Sequence, residues 1–109
     1  MRRPIRTIEP ASDEFSEAVR WYEARRSGLG GEFFDAVAAT LSLIEINPEI
    51  GASISADGQT RRALVAKFPY QVVYRLRPTE MVIVAVAHLK RRPGYWTNRS
   101  RSSSPPNSL

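Results

Sequence analysis

An almost wholly apolar run, MVIVAVA, extends from Met81 to Ala87 and is the strongest indication of the fold in this sequence. An apolar run of this length is typical of a strand that is covered on both faces of a sheet, because a half-exposed strand alternates apolar and polar residues. Valine and isoleucine, which dominate the run, also favour strands. We therefore predict a central β-strand over 81–89.

Two further strands are predicted immediately before this run, over 60–66 and 70–77. The connections between the three strands are short and contain Pro69 and Pro78, which favours antiparallel neighbours. In the middle strand, apolar positions predicted to face the helices alternate with positions predicted to face the opposite side of the sheet. The first set is Val72, Tyr74 and Leu76, and the second is Gln71, Val73 and Arg75.

The first half of the chain has the periodicity of two helices, over 10–26 and 32–46, preceded by a short strand over 3–8. A glycine-rich link, 27–31, and Asn47-Pro48 punctuate the helices, so we expect a helical hairpin. The predicted buried stripe of the second helix is Phe34, Val37, Ala38, Leu41 and Ile44, and Phe33 widens it. The acidic residues Glu14, Glu17, Glu23, Glu32 and Asp35 are interpreted as solvated helix faces.

The predicted element order β-α-α-β-β-β indicates an α+β fold, in which the helical hairpin packs on one face of a mainly antiparallel four-stranded sheet. We expect residues 1–96 to form the domain, 49–59 a loop, and 97–109 a flexible C-terminal tail that is disordered from about Ser100, because it lacks apolar residues. The other sheet face would expose an apolar patch, unless the segment after Pro93 folds back.

Charge is distributed unevenly along the chain. Residues 1–59 contain six Arg and Lys against ten Asp and Glu, a net charge of −4, whereas residues 60–109 contain ten against one, a net charge of +9. Such asymmetry favours a nucleic acid or an acidic protein as partner. The absence of cysteine excludes disulfides and fits a reducing cytosol. No run is long enough to span a bilayer, and no spacing suggests a metal site, so we expect no membrane partner, metal or cofactor.

The element order and three phrases of the sequence together resemble a known family. The phrases are AVRWYEARRSGLGGEFFDAV in the helical hairpin, FPYQVVYRL in the middle strand and AVAHLKRRPGYW at the end of the sheet. Over about Ile5 to Trp96 they resemble the RelE/ParE superfamily of bacterial toxins from type II toxin–antitoxin modules. The resemblance implies a cytosolic toxin that a small antitoxin neutralises.

Members of this superfamily act in two ways. RelE-like toxins cleave messenger RNA on the ribosome without a metal, whereas ParE-like toxins poison DNA gyrase. RelE-like enzymes carry a functional arginine in a strand phrase similar to Y-R-L-V-Y, and here Gln71 stands in that place. An amide cannot supply the charge that stabilises a phosphorane. By spacing, Arg91 and Tyr95 match an arginine and a tyrosine that RelE-like enzymes carry after the last strand.

The candidate site combines residue types that bind phosphate or transfer protons. If the chain is a nuclease, the candidate catalytic residues are Arg62, Arg75, His88, Arg91 and Tyr95. The remaining candidate binding residues are Arg61, Gln71, Val73, Lys90, Arg92 and Trp96. A lone histidine that ends an apolar strand, as His88 does, is more often a hydrogen-bonded residue at the rim of the sheet than a catalytic one. Tyr95 and Trp96 equally suit packing of the C-terminal segment.

Three functions follow from the resemblance and the residues. The preferred one is a ParE-like toxin that binds a macromolecular target, with DNA gyrase as the candidate. The alternatives are a ribosome-dependent endoribonuclease that cleaves mRNA, and a non-toxic remnant that still binds its antitoxin. In each case the expected partner is an antitoxin segment that is acidic, amphipathic and disordered when free.

Overall fold

A computed structural model describes residues 3–99 of the chain. Its elements are β1 (Ile5–Thr7), α1 (Glu9–Arg25), α2 (Leu29–Ile46), β2 (Ala52–Ser53), β3 (Thr60–Leu64), β4 (Tyr70–Leu76) and β5 (Met81–His88). The strands form one sheet in the order β1-β5-β4-β3-β2, in which β1 is parallel to β5 and the other pairs are antiparallel. The predicted α+β class is therefore confirmed.

The sheet has five strands, so the predicted count of four is wrong. The additional strand, β2, lies within the predicted loop 49–59 and pairs with Arg61 and Arg62 of β3. Two residues are too few to produce a recognisable apolar alternation, so β2 has no signal in the sequence. The segment that leads into β2 is bonded to the sheet through the buried hydroxyl of Tyr74, which donates to Pro48 O at 2.7 Å and accepts from Gly51 N at 3.0 Å.

The prediction that the apolar run forms an interior strand is confirmed. β5 pairs with β1 along one edge and with β4 along the other, and every residue from 81 to 87 is buried. The middle position of the five strands, however, belongs to β4. The register in which β4 pairs with β5 shifts between Val73 and Tyr74, which is the irregularity that a β-bulge produces.

The second helix begins at Leu29 rather than at Glu32, and Glu23 explains the difference. The Glu23 carboxylate accepts hydrogen bonds from the backbone N–H groups of Gly28 and Gly30, both at 2.9 Å, which satisfies donors at the start of α2. A Cβ at Gly30 would lie 2.7 Å from the carbonyl oxygen of Val19, so glycine permits the close approach of α2 to α1. Glu23 is exposed, as predicted for a solvated helix face, and it is also a capping residue of α2.

The buried stripe of α2 differs from the predicted one. Its buried residues are Gly30, Phe33, Val37, Thr40 and Ile44, whereas Phe34 is half exposed. Phe33 is buried because its ring packs against the rings of Phe68 and Tyr70, with centroid distances of 5.1 and 4.9 Å. These contacts join the helical hairpin to the turn between β3 and β4.

The face of the sheet opposite the helices is covered by the segment from 90 to 99, which we call the C-terminal strap. Trp96 is only 8% exposed, and the Arg99 guanidinium donates to the carbonyl oxygen of Val84 at 3.3 Å. Val73 and Val84 are fully buried, so the predicted exposed apolar patch is not there. The strap includes 97–99 of the predicted tail, and the rest of that tail, 100–109, lies outside the described residues.

Neither α1 nor α2, the two helices of the described part of the chain, has the length and apolar character required to cross a membrane.

We expect Ile83→Asp to unfold the domain. Ile83 is fully buried between Thr7 of β1 and Tyr74 of β4, and an unpaired buried carboxylate costs several kcal/mol against a total stability of roughly 5–15 kcal/mol. The matched control is Leu64→Asp at a 63% exposed position of β3, which should retain the native melting temperature. Equal melting temperatures for Ile83→Asp and the wild type would contradict the interior position of β5.

Candidate functional site

The register of β3 and β4 gathers three polar side chains on the face opposite the helices. Arg62 lies directly across from Val73, and Gln71 and Arg75 occupy the two diagonal positions on the same face. With Arg91 and the inner side of the C-terminal strap they border an open groove of about 660 Å³. This basic groove is lined by Ile54, Ser55, Thr60, Arg62, Gln71, Arg75, Val84, Leu89, Arg91, Pro93, Gly94, Trp96 and Thr97.

The hydrogen bonds of the basic groove orient its arginines without neutralising them. Arg62 donates to Oε1 of Gln71 at 3.2 Å, and Arg75 donates to the Thr60 hydroxyl at 2.6 Å. The Nε atom of Arg75 is buried and has no hydrogen-bond partner within residues 3–99. No Asp or Glu in that range forms an ion pair with Arg62, Arg75 or Arg91. The groove therefore presents guanidinium donors to an anionic ligand.

Arg61 has a different role from its neighbour Arg62. It pairs with Tyr74, whose ring lies on the helical side of the sheet, and it does not line the basic groove. Its guanidinium donates to three backbone carbonyl oxygens, at 3.2 Å to Glu49, 2.8 Å to Gly51 and 3.2 Å to Gly58. Arg61 thus holds the loop that leads into β3.

His88 lies on the other side of the sheet from the basic groove. Its ring packs edge-on against Tyr70, with centroids 5.1 Å apart, and its Nδ1 accepts from the backbone N–H of Lys90 at 3.0 Å. It lines a second groove of about 530 Å³, next to Glu17 and Trp21 of α1. Arg91 borders both grooves, but the structure does not bring His88 together with Arg62 and Arg75.

Tyr95 is directed toward α1. Its hydroxyl donates to a carboxylate oxygen of Glu14 at 2.7 Å, and the Arg91 and Arg99 guanidinium carbons lie 4.0 and 4.9 Å from its ring centroid. Burial, followed by the hydrogen bond to Glu14, raises the pKa of Tyr95 well above its usual value. The phenol is therefore held neutral as a hydrogen-bond donor, which disfavours a role as general base.

Glu14 is the functional-site residue that the sequence interpretation missed. Its side chain is only 15% exposed and accepts from the backbone N–H of Val86 at 3.0 Å, from the Tyr95 hydroxyl and from Arg99 at 2.9 Å. The interpretation of Glu14 as a solvated residue was therefore wrong. A signal was present, because Glu14 stands three residues after Ala11 and four before Ala18, both buried positions on α1.

The other candidate binding residues differ in accessibility. Lys90 and Arg92 are exposed at the start of the C-terminal strap. Val73 is buried beneath the strap and the arginines, and Trp96 packs edge-on against Tyr95 with centroids 5.1 Å apart. Trp96 is 8% exposed and the Tyr95 ring is contacted by the Arg91 and Arg99 guanidinium groups, which disfavours stacking on a nucleobase, a contact that single-stranded RNA recognition commonly uses. Residues 3–99 also contain no cluster of three His, Cys, Asp or Glu side chains suited to a metal ion.

Comparison with known proteins identifies the architecture. No protein-family model matches the chain. No curated protein matches it either. Among solved structures, a chain from the "Chromosomal ParDE TA system from P. aeruginosa" matches with a TM-score of 0.68 at 11% sequence identity, over 80% of this chain and 96% of that chain. The chain has the fold of a component of a ParDE toxin–antitoxin system. The RelE/ParE resemblance predicted from the sequence is thus confirmed as a likeness of fold.

We expect the tyrosines of this ParE-like fold to resist ionisation until the protein unfolds. Burial is the main cause that raises the pKa values of all four tyrosines, Tyr22, Tyr70, Tyr74 and Tyr95. The folded state then binds the phenolic protons more tightly than the unfolded state, so the free energy of unfolding is undiminished below about pH 10 and falls as the pH rises above it.

A spectrophotometric tyrosinate titration, with circular dichroism recorded on the same samples, checks this expectation. Tyrosinate absorbance should appear together with loss of structure, while the urea-unfolded chain should titrate near pH 10. Reversible ionisation of a tyrosine near pH 10 in the folded protein would show that at least one phenol is not protected.

Proposed function

We propose that this chain is the toxin of a type II toxin–antitoxin module and that it is ParE-like: it inhibits growth by binding a macromolecular target, with DNA gyrase as the candidate, and a cognate antitoxin neutralises it in the cytosol. The observation that carries the ParE-like choice is that the arginines lie apart from the side chains that could transfer a proton. Arg62, Arg75 and Arg91 share the basic groove, whereas His88 lies in the other groove and Tyr95 is bonded to Glu14.

A RelE-like ribosome-dependent endoribonuclease is the second candidate, favoured by one observation. Three arginines border a single groove, and arginine binds phosphate oxygens well. Against it, Gln71 stands where RelE-like enzymes carry an arginine, and its carbonyl oxygen is already engaged by Arg62. Cleavage also requires a base for the 2′-hydroxyl, and no His, Asp, Glu or Tyr of the described chain lines the basic groove.

The antitoxin is proposed to bind the basic groove through an acidic segment. The groove arginines lack carboxylate partners within residues 3–99, so an incoming carboxylate can pair with them without breaking an existing ion pair. The poor accessibility of Tyr95 and Trp96 for base stacking favours an acidic polypeptide over a nucleic acid at this position. A segment that is disordered when free would fold on binding and would be degraded readily before it binds.

Expression of the chain without an antitoxin tests the function and the target together. We expect growth to stop, and DNA replication to fail before translation, with no codon-phased cuts in cellular mRNA. Early mRNA cuts that disappear in Arg91→Ala would instead establish the nuclease, because Arg91 would then be needed for cleavage. Normal growth at full expression would leave the third alternative, a non-toxic chain that retains antitoxin binding.

Association with a cognate antitoxin tests the proposed groove. Because opposite charges accelerate encounter, the association rate should fall at high salt and in the variant Arg75→Glu, Arg91→Glu, Arg92→Glu. The control reverses three exposed arginines of α1 and its end, Arg20→Glu, Arg25→Glu and Arg26→Glu, which changes the net charge equally. Equal rates for the two variants would mean that net charge, and not the basic groove, steers the antitoxin.

A further inference from the structure

One carboxylate connects α1 to β5 and to the C-terminal strap, and the last two border the basic groove. Glu14 belongs to α1, accepts from the backbone of β5 at Val86, and binds the C-terminal strap through the Tyr95 hydroxyl and the Arg99 guanidinium. These partners lie 72 to 85 residues away along the chain. Charge-assisted hydrogen bonds are stronger than neutral ones, so this carboxylate is the main polar attachment of the strap to α1.

The attachment reaches the basic groove through an aromatic ring. The Arg91 guanidinium carbon lies 4.0 Å from the Tyr95 ring centroid, which is the geometry of a cation–π contact. Tyr95 in turn is fixed by Glu14 on one side and packs against Trp96 on the other. Arg91 itself is exposed and has no carboxylate partner within residues 3–99, so the ring of Tyr95 is the principal contact that limits its orientation.

We propose that Glu14 is a positioning residue for anion binding: by holding Tyr95 and the C-terminal strap against α1 and β5, it places Arg91 at the edge of the basic groove. This inference rests on the proposed function, because it assigns the groove to an acidic ligand. Glu14 does not touch the ligand, and as a negative charge it would otherwise oppose anion binding. Removing the Glu14 carboxylate has two opposite effects on anion binding: the loss of a nearby negative charge strengthens it, and the loss of positioning weakens it. Binding should therefore weaken only if the positioning effect is the larger of the two.

The test compares Glu14→Gln with Glu17→Gln. Both substitutions remove one negative charge from α1, but Glu17 is exposed and forms no hydrogen bond to a residue in 3–99. Glu14→Gln keeps the shape of the side chain, but the amide is neutral and its NH2 group cannot accept a hydrogen bond from Arg99, which has no acceptor of its own. Circular dichroism and the melting temperature establish that each variant is folded, and Tyr95→Phe serves as a second variant that breaks the same connection.

Two ligand-independent signals report on the C-terminal strap. In a Trp21→Phe background, Trp96 is the only tryptophan, since the chain contains two. Glu14→Gln should shift Trp96 emission to longer wavelength and increase its quenching by acrylamide. The Nε–H resonance of Arg91 should lose the ring-current shift that Tyr95 imposes. Glu17→Gln should change neither signal, and an unchanged Trp96 and Arg91 in folded Glu14→Gln would overturn the proposal.

Binding is measured with a fluorescein-labelled oligoglutamate. Affinity should fall about tenfold in Glu14→Gln, the effect expected from one weakened charge-assisted contact, and should not fall in Glu17→Gln. In an Arg91→Ala background, Glu14→Gln should have no further effect, because the two residues act through one contact. Tighter binding by both glutamine variants would mean that Glu14 acts only as a charge and would refute its positioning role.

The proposed function and this inference can fail separately. If the wild type does not bind oligoglutamate but the Arg91 resonance still depends on Glu14, the acidic ligand is wrong and the structural connection from Glu14 to Arg91 stands. A single-stranded RNA of equal charge that binds more tightly than oligoglutamate would assign the groove to a nucleic acid and overturn the acidic-polypeptide ligand. If oligoglutamate binds but its affinity is the same in Glu14→Gln, the inference fails and the proposed groove stands.

Discussion

The burial of β5 on both faces governs how the other elements of this molecule are arranged. A strand with no polar side chain from Met81 to Ala87 must be covered on each side of the sheet, and the molecule uses two different covers. The helical hairpin covers one side through a conventional apolar interface. The other side is covered by the C-terminal strap, which is short and has few apolar residues of its own. Trp96 is its one large buried side chain, so the strap also needs polar attachments.

That need explains why a glutamate is placed at a largely buried position of α1. A strap of ten residues returning over a sheet loses conformational entropy at every ordered residue, and one buried indole offsets only part of that cost. Glu14 supplies acceptors for Tyr95 and Arg99, and it also satisfies the N–H of Val86. The strap that this attachment holds also forms one wall of the basic groove. The covering of β5 by the strap and the geometry of the basic groove therefore depend on the same carboxylate, that of Glu14.

Much of the fold could be predicted because its signals are local. The apolar run of β5, the alternation in β4 and the helical periodicities are each visible within a window of fewer than twenty residues. Features that depend on distant partners were not predictable in this way. The pairing of Ala52 and Ser53, the start of α2 at Leu29 and the burial of Glu14 all require contacts that become apparent only in three dimensions. For the site, strand alternation correctly placed Gln71 and Arg75 on one face, but nothing local separated His88 from the groove arginines.

The separation of His88 from the arginines has a simple origin in strand geometry, and it bears on how a shared fold supports different activities. Side chains alternate between the faces of a strand, so Tyr70 and His88, which pair directly, lie on the helical face, whereas Gln71 and Arg75 lie on the other. A proton-transfer side chain at position 88 would face the basic groove only if the end of β5 paired with β4 in a different register. Under the proposed function, the identity of the residues at 71 and 75, and not the fold, decides what the groove binds. A neutral amide flanked by arginines can hold an anion in place while providing no group to activate a nucleophile, and this favours recognition over cleavage.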